Sequence, residues 1–141
     1  MAAPTFEPIG YLQTDYAEIA SAPPQASLSR SIALVVVDEA YLDGLLGLDR
    51  YPHLWLVTWL HDQPADRPLQ LVPRATEATG EVQGVFASRS PVRPNPIGLS
   101  LVRQLGVDGT VVTVAGTDLL DGTPVLDLKP WFADCDLPTD P

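Results

Sequence analysis

Residues 53–61 read HLWLVTWLH, and the fold turns on how this run is placed. At a strand's period of two, Leu54, Leu56, Thr58 and Leu60 fall on one face, and Trp55, Val57 and Trp59 on the other. Both faces are largely apolar, which suits a strand with neighbours on either side rather than an edge. His53 and His61 bracket the run, about 26 Å apart if fully extended at about 3.3 Å per residue. They cannot share a metal ion within a straight strand, and no third ligand pattern accompanies them. A histidine at a strand end is ordinarily a satisfied polar cap, a reading that fits His53 better than His61.

Upstream, residues 31–37 (SIALVVV) form a near-continuous β-branched run, expected as a buried strand. Residues 6–12 (FEPIGYL) read as a first strand, with Pro8 placing it at an edge or near a bulge. Between them, residues 14–30 form a long polar connection broken by Pro23-Pro24, of a length that is usually functional or disordered. Asp38 is positioned to cap a helix, DEAYLDGLLGL, that puts Tyr41, Leu45 and Leu48 on one core-facing side. Gly44 weakens that helix and Gly47 is placed to end it.

Downstream, residues 62–81 are polar and proline-broken around one apolar piece at 69–72. Strand-like runs follow at 84–86, 99–105 and 110–114, with Asp108-Gly109 as a hairpin turn between the last two. Asp121-Gly122 marks another turn before a short strand at 124–128, and residues 134–141 read as a frayed tail. Fifteen prolines and ten glycines leave no room for long helices. The expected fold is therefore mainly β: one domain over 1–141, a small antiparallel β-barrel with one short helix and long loops, closure removing exposed edges. Neither an internal repeat nor a dinucleotide-binding glycine pattern is present.

The 141 residues, 45% apolar and 18% charged, fit a soluble globular domain with a proper core. Apolar runs fall short of the roughly 18 residues a membrane helix needs, and the N-terminus lacks the basic and apolar regions of a secretory signal, so a cytoplasmic protein is expected. Cys135 stands alone between Asp134 and Asp136, which excludes an internal disulfide or a cysteine-based metal cluster and discourages thiolate formation. A net charge of −10 disfavours phosphate backbones as partners. Yet Arg89, Arg93 and Arg103, three of seven arginines, fall within fifteen residues, and the single lysine, Lys129, is free to join them in space.

Residues 84–100, GVFASRSPVRPNPIGLS, carry the oddest composition in the chain. Pro91, Pro94 and Pro96 stiffen the backbone and hold Ser90, Arg93 and Asn95 in extended or turn geometry. A stiff loop with two guanidinium forks and an amide loses little entropy on meeting an anionic or polar ligand. The bland counterpart is a proline-rich surface turn with solvated arginines. No nucleophile–base pair declares itself. Asp121 before Gly122 reads as a turn carboxylate, whereas Asp118, at the end of a valine-rich strand, is better placed for chemistry.

The string S-R-S-P-x-R-P-N-P-I-G-L-S resembles the signature of the TsaA-like family, which includes the methyltransferase acting on N6 of tRNA threonylcarbamoyladenosine. F-E-P-I-G resembles that family's first strand, Pro23-Pro24-Gln25 its P-x-Q segment, and H-L-W-L ending at His61 its central strand. Residues 118–131, DLLDGTPVLDLKPW, are similar to its closing motif, D-x-x-D-G-T-P-x-x-D-I-K-P-Y. The resemblance implies a homodimeric β-barrel that binds S-adenosylmethionine near the subunit interface and methylates tRNA. Carried over by position, it implies a cofactor pocket from Gln25, Ala26, Ser27, His61, Asp62, Arg89, Leu99, Ala115, Gly116, Thr117 and Asp118. Arg93, Asn95, Asp121 and Lys129 become scaffold or substrate contacts, with no metal. Asp118 or His61 is the implied participant in proton removal from the acceptor nitrogen.

The chemistry of those residue types suits the cofactor. Arg89 matches its carboxylate head by bidentate pairing, Asp118 or Asp62 its ribose or ammonium, and Leu99 its adenine ring. Gln13 and Pro24 stand where many relatives carry basic residues, and the sequence reads as the barrel without the extra C-terminal domain of some members. Three readings remain: a tRNA methyltransferase, a methyltransferase with a small-molecule acceptor, and a non-catalytic S-adenosylmethionine-binding regulatory module. Arg103 is a candidate interface residue.

Overall fold

The computed structural model describes residues 3–14 and 31–139. The Pro23-Pro24 break and the expected pocket residues Gln25, Ala26 and Ser27 lie outside them. Six antiparallel strands close into a barrel in the order β1-β2-β7-β6-β3-β8. They are β1 (Gly10–Gln13), β2 (Ile32–Val37), β3 (His53–Trp59), β6 (Ile97–Asp108), β7 (Val111–Ala115) and β8 (Pro124–Pro130). The barrel is sealed where Gly10 of β1 pairs with Val125 of β8. A separate two-stranded ribbon, β4 (Gln70–Leu71) with β5 (Gln83–Gly84), lies in the crossover between β3 and β6.

The HLWLVTW run is β3, between β6 and β8. Leu54, Leu56 and Thr58 face the interior, and the alternate residues are only half-buried. The β2 run alternates in the same way: Ala33, Val35 and Val37 are buried, while Ile32 is 58% exposed. It is thus a barrel strand with one inner face rather than a strand buried on both sides, because a small barrel has side chains at its centre and solvent outside. Leu12, Leu54, Leu56, Val102, Val112, Val114 and Val125 fill the interior. Truncating Leu54 or Leu56 to alanine is expected to cost about 2–5 kcal/mol.

Both Asp-Gly turns form, with positive φ at Gly109 (59°) and Gly122 (81°). Other expectations are corrected. The 38–48 helix is a 3-10 helix over Glu39–Leu45, capped as anticipated by the Asp38 carboxylate, which accepts from the Ala40 amide at 2.9 Å. Leu45 and Leu48 are buried, but Tyr41 faces outward and donates its hydroxyl to Glu7 at 3.3 Å. The proximity of the Glu7 carboxylate raises the Tyr41 hydroxyl above its ordinary value. Residues 85–87 form a 3-10 turn rather than a strand. The first strand begins only at Gly10. The stretch expected to fray contains α1 (Ala133–Asp136), and the Asp136 carboxylate accepts from the Trp55 indole at 3.2 Å and the Phe132 amide at 2.8 Å.

Candidate functional site

The arginine loop is built by its own side chains. Val85, 1% exposed, anchors its start, and the Ser88 hydroxyl donates to the Val85 carbonyl at 3.1 Å. The Ser88 hydroxyl accepts from the Ser90 amide, and the Ser90 hydroxyl from the Val92 amide, at 3.3 and 3.2 Å. Arg93 then turns inward, its Nη1 donating to the carbonyls of Ser88 and Ser90 at 3.0 and 3.2 Å. From the other side, Arg67 donates through Nε to the Pro64 carbonyl and through Nη1 to the Pro94 carbonyl, both at 3.1 Å. The exit is pinned where the Leu60 amide donates to the Pro96 carbonyl at 2.6 Å, and the Asn95 carbonyl accepts from the Ile97 amide at 2.7 Å. Arg93 and Arg67 are braces, and Arg89 is displayed at the surface of the frame they hold.

β7 ends at Ala115, which pairs with Ile32 on one side and Arg103 on the other. Gly116 follows with φ of 93°, a left-handed conformation that favours glycine, and its amide donates to the Ser31 carbonyl at 3.1 Å. Thr117 is fully buried, its hydroxyl accepting from the Leu119 amide at 3.2 Å. Asp118 is half-buried. Burial raises its carboxyl above the ordinary carboxylate value, offset in part by a backbone hydrogen bond and by the Arg74 guanidinium. Asp121 is a tether: its carboxylate accepts from the Thr14 amide at 3.0 Å, and the Thr14 hydroxyl donates to the Leu119 carbonyl at 3.2 Å.

Beyond β3 lie His61, half-buried, and Asp62, with φ of 64°. Asp62 is the one non-glycine residue with positive φ among the described residues, and such strain concentrates at functional sites. The His61 carbonyl accepts from the Gln63 side-chain amide at 3.2 Å. Leu99 projects outward from β6 beside Val57 and is 62% exposed.

β3 and β7 both run antiparallel to β6, so their C-terminal ends point toward the end at which β6 begins. The topology thus turns His61 and Asp62, the arginine loop, Leu99 and the 115–118 turn toward one end of the barrel. His53 lies toward the other end, its ring against Trp131 at 5.7 Å. Lys129 also lies there, in register with Trp55 and paired with Asp127 at 3.0 Å, rather than beside the arginine loop. Arg74 escaped the sequence reading because it sits in a stretch without periodicity, 44 positions before Asp118. Among the described residues no cluster of three or more histidine, cysteine, aspartate or glutamate side chains could hold a metal ion. No helix there is long and apolar enough to cross a membrane.

Comparison with known proteins agrees with this layout. The family model described as tRNA-methyltransferase O N-terminal domain matches residues 11–137. A Methanothermobacter thermautotrophicus protein, named a probable S-adenosyl-L-methionine-binding protein, is 38% identical over 130 residues, covering 92% of this chain and 90% of the relative. A mouse tRNA (adenine(37)-N6)-methyltransferase is 36% identical over 137 residues, 94% of this chain but 32% of the relative. The crystal structure of TrmO from Pseudomonas aeruginosa superposes with a TM-score of 0.80 at 32% identity, covering 99% of this chain and 61% of that one. The chain therefore spans nearly all of the archaeal relative, about three fifths of the solved structure and a third of the mouse enzyme. On the family match over residues 11–137 and the archaeal relative of similar length, the chain belongs to the tRNA-methyltransferase O N-terminal domain family.

Proposed function

We propose that this chain is an S-adenosylmethionine-dependent methyltransferase that acts, as a cytoplasmic homodimer, on N6 of threonylcarbamoyladenosine beside the anticodon of tRNA. The observation that carries this reading is the gathering of a braced arginine loop, a strained aspartate and a half-buried carboxylate toward one end of a barrel of this family.

The donor set fits the cofactor. Arg89 presents a fork for its carboxylate, Asp62 and Asp118 are acceptors for ribose hydroxyls or the ammonium, and Leu99 offers exposed apolar surface for adenine. Gly116 removes a side chain from the turn beside them. His61 and the 115–118 turn complete the described part of the pocket, to which the resemblance adds Gln25, Ala26 and Ser27.

When bound, S-adenosylmethionine supplies an electrophilic methyl group. The chain's own residues do the rest. Arg93 holds the loop in shape, so orientation is set before binding. The acceptor nitrogen is acylated, weakly nucleophilic and must lose its proton. Asp118 is the group placed to take it, because a carboxylate whose pKa is raised by burial is a stronger base than a solvated one. His61 is the second candidate for that role.

The homodimer reading is supported by β6, where outward-facing Ile97, Leu99, Leu101 and Leu105 remain 40–62% exposed. A second copy would cover that stripe, and Arg103, between His53 and Ala115 in register, would then lie at the interface.

The net charge of −10 favours a different acceptor, a small metabolite with the same methyl donor. Incubating the protein with labelled methyl donor and either bulk tRNA or a metabolite extract separates the readings. Label in tRNA at a modified adenosine supports the proposal, and label only in a small molecule replaces it. Donor binding without transfer to either pool points to a regulatory module.

A further inference from the structure

We infer that the β3–β6 crossover is a nucleic-acid contact surface on which Phe86 stacks a base of a single-stranded loop. The inference rests on the tRNA reading above and goes beyond it by naming the surface and the anchor.

Charge is the first observation. Residues 60–96 contain four of the chain's eight cationic residues, Arg67, Arg74, Arg89 and Arg93, and only four of its eighteen acidic ones. The crossover is therefore neutral, and the whole charge of −10 lies on the rest of the chain. An RNA approaching this protein is repelled least where the arginines are. Arg67 and Arg93 each commit two hydrogen bonds to loop carbonyls, out of five N–H donors per guanidinium, so both keep donors for phosphate oxygens.

Phe86 is the second. It is 79% exposed, and it sits in the 3-10 turn between the buried anchor Val85 and the serine that receives Arg93. The turn is tied down where the Val85 amide donates to the Leu69 carbonyl at 2.9 Å and the Ser88 amide to the Val85 carbonyl at 3.3 Å. An aromatic ring held outward on a fixed turn, three residues before Arg89, is a preformed platform for a nucleobase. It gives up little conformational freedom on stacking, and any base offers a π-face. A second copy of the chain is the competing occupant. The apolar stripe for that role lies on β6, whereas the crossover mixes arginines with its one aromatic ring, the composition of a single-strand-binding surface.

The test compares Phe86→Ala and Phe86→Trp with the parent, using bulk tRNA at several salt concentrations. A side chain so exposed can be truncated without unfolding the protein, which thermal melting and unchanged calorimetric affinity for S-adenosylmethionine would register. Phe86→Ala is expected to weaken tRNA binding, and to raise KM for tRNA, by about 5- to 150-fold, the range that loss of one stacked base implies. Phe86→Trp restores both, and the salt dependence keeps its slope because no ionic contact is removed. Unchanged tRNA affinity in Phe86→Ala, with tRNA still methylated, overturns the stacking inference and leaves the proposed activity standing. A parent that binds no tRNA even at low salt removes both. Sedimentation showing that Phe86→Ala breaks a dimer assigns the surface to a second copy and also overturns the inference.

Discussion

The guanidinium of Arg93 is folded onto the carbonyl of Ser88, Nη1 to oxygen 3.0 Å, and the same nitrogen reaches the Ser90 carbonyl at 3.2 Å. One side chain thereby closes the loop that displays Arg89. Replacing it with alanine leaves two half-buried carbonyls without their charged donor, at an expected cost of about 1–2 kcal/mol in chemical denaturation. The loop also loses its preset shape, so S-adenosylmethionine affinity should fall with it. Arg93→Lys keeps the charge but not the planar fork, and should not restore the affinity. Parent-like donor binding in both variants would show that the brace is dispensable.

Arg89 is assigned to the carboxylate of the methyl donor. Loss of a charge-assisted hydrogen-bond pair is worth about 1.5–3 kcal/mol, so Arg89→Ala should weaken donor affinity about 10- to 150-fold by calorimetry. Stability should hardly change, because the side chain is exposed. Equal affinity in parent and variant would end the carboxylate assignment.

Asp118 gives the site a pH signature. Burial raises its carboxyl above the ordinary value of 3.8, so the folded chain binds that proton more tightly than the unfolded chain does. As pH rises from 3.8 through the raised value, the folded state therefore loses stability relative to the unfolded one, and above that value the loss is constant. Asp118→Asn should remove this fall and be at least as stable as the parent at neutral pH, seen in denaturant midpoints measured across pH. It should also lose methyl transfer, with the parent's acidic limb of kcat lying above the usual carboxylate range. A variant that keeps the parent's rate and acidic limb would move the proton-accepting role elsewhere, first to His61.

Local signals carried the barrel, and distant pairings did not show in the sequence. Alternation placed β3, β6 and β7, and each Asp-Gly pair marked a turn because Gly109 and Gly122 need positive φ. The helix over 38–48 tightened to 3-10 geometry, since Gly44 and Gly47 interrupt it before two good turns can form and packing holds only Leu45 and Leu48. Residues 85–87 look like a strand by composition, but a single buried valine sets no period of two. Proline spacing announced a stiff arginine loop. That Arg93 braces it while Arg74 reaches Asp118 depends on a crossover whose path has no periodic trace. In the tail, Asp136 has meaning only once β3 brings Trp55 to it.

Two glycines in the barrel wall give a graded test of the packing behind the site. A Cβ on Gly98 would lie 2.5 Å from the Thr58 hydroxyl oxygen and 2.9 Å from Leu60 Cδ2. Both are side-chain atoms, but Thr58 is β-branched, fully buried and without a hydrogen-bond partner for its hydroxyl, so it has little room to turn. Gly98→Ala should therefore cost about 1–3 kcal/mol, the range for overpacking, and disturb Leu99 next to it. At Gly10 the same Cβ would run into the carbonyl oxygen and carbon of Val36 and the Cα of Val37, backbone that cannot rotate away. Because Gly10 pairs with both Val37 and Val125, making room there would also part the strands that seal the barrel. Gly10→Ala should be the more damaging substitution, with the larger drop in Tm and in folded yield. If the two variants melt together, or Gly98→Ala melts first, the closure at β1 is looser than these contacts require.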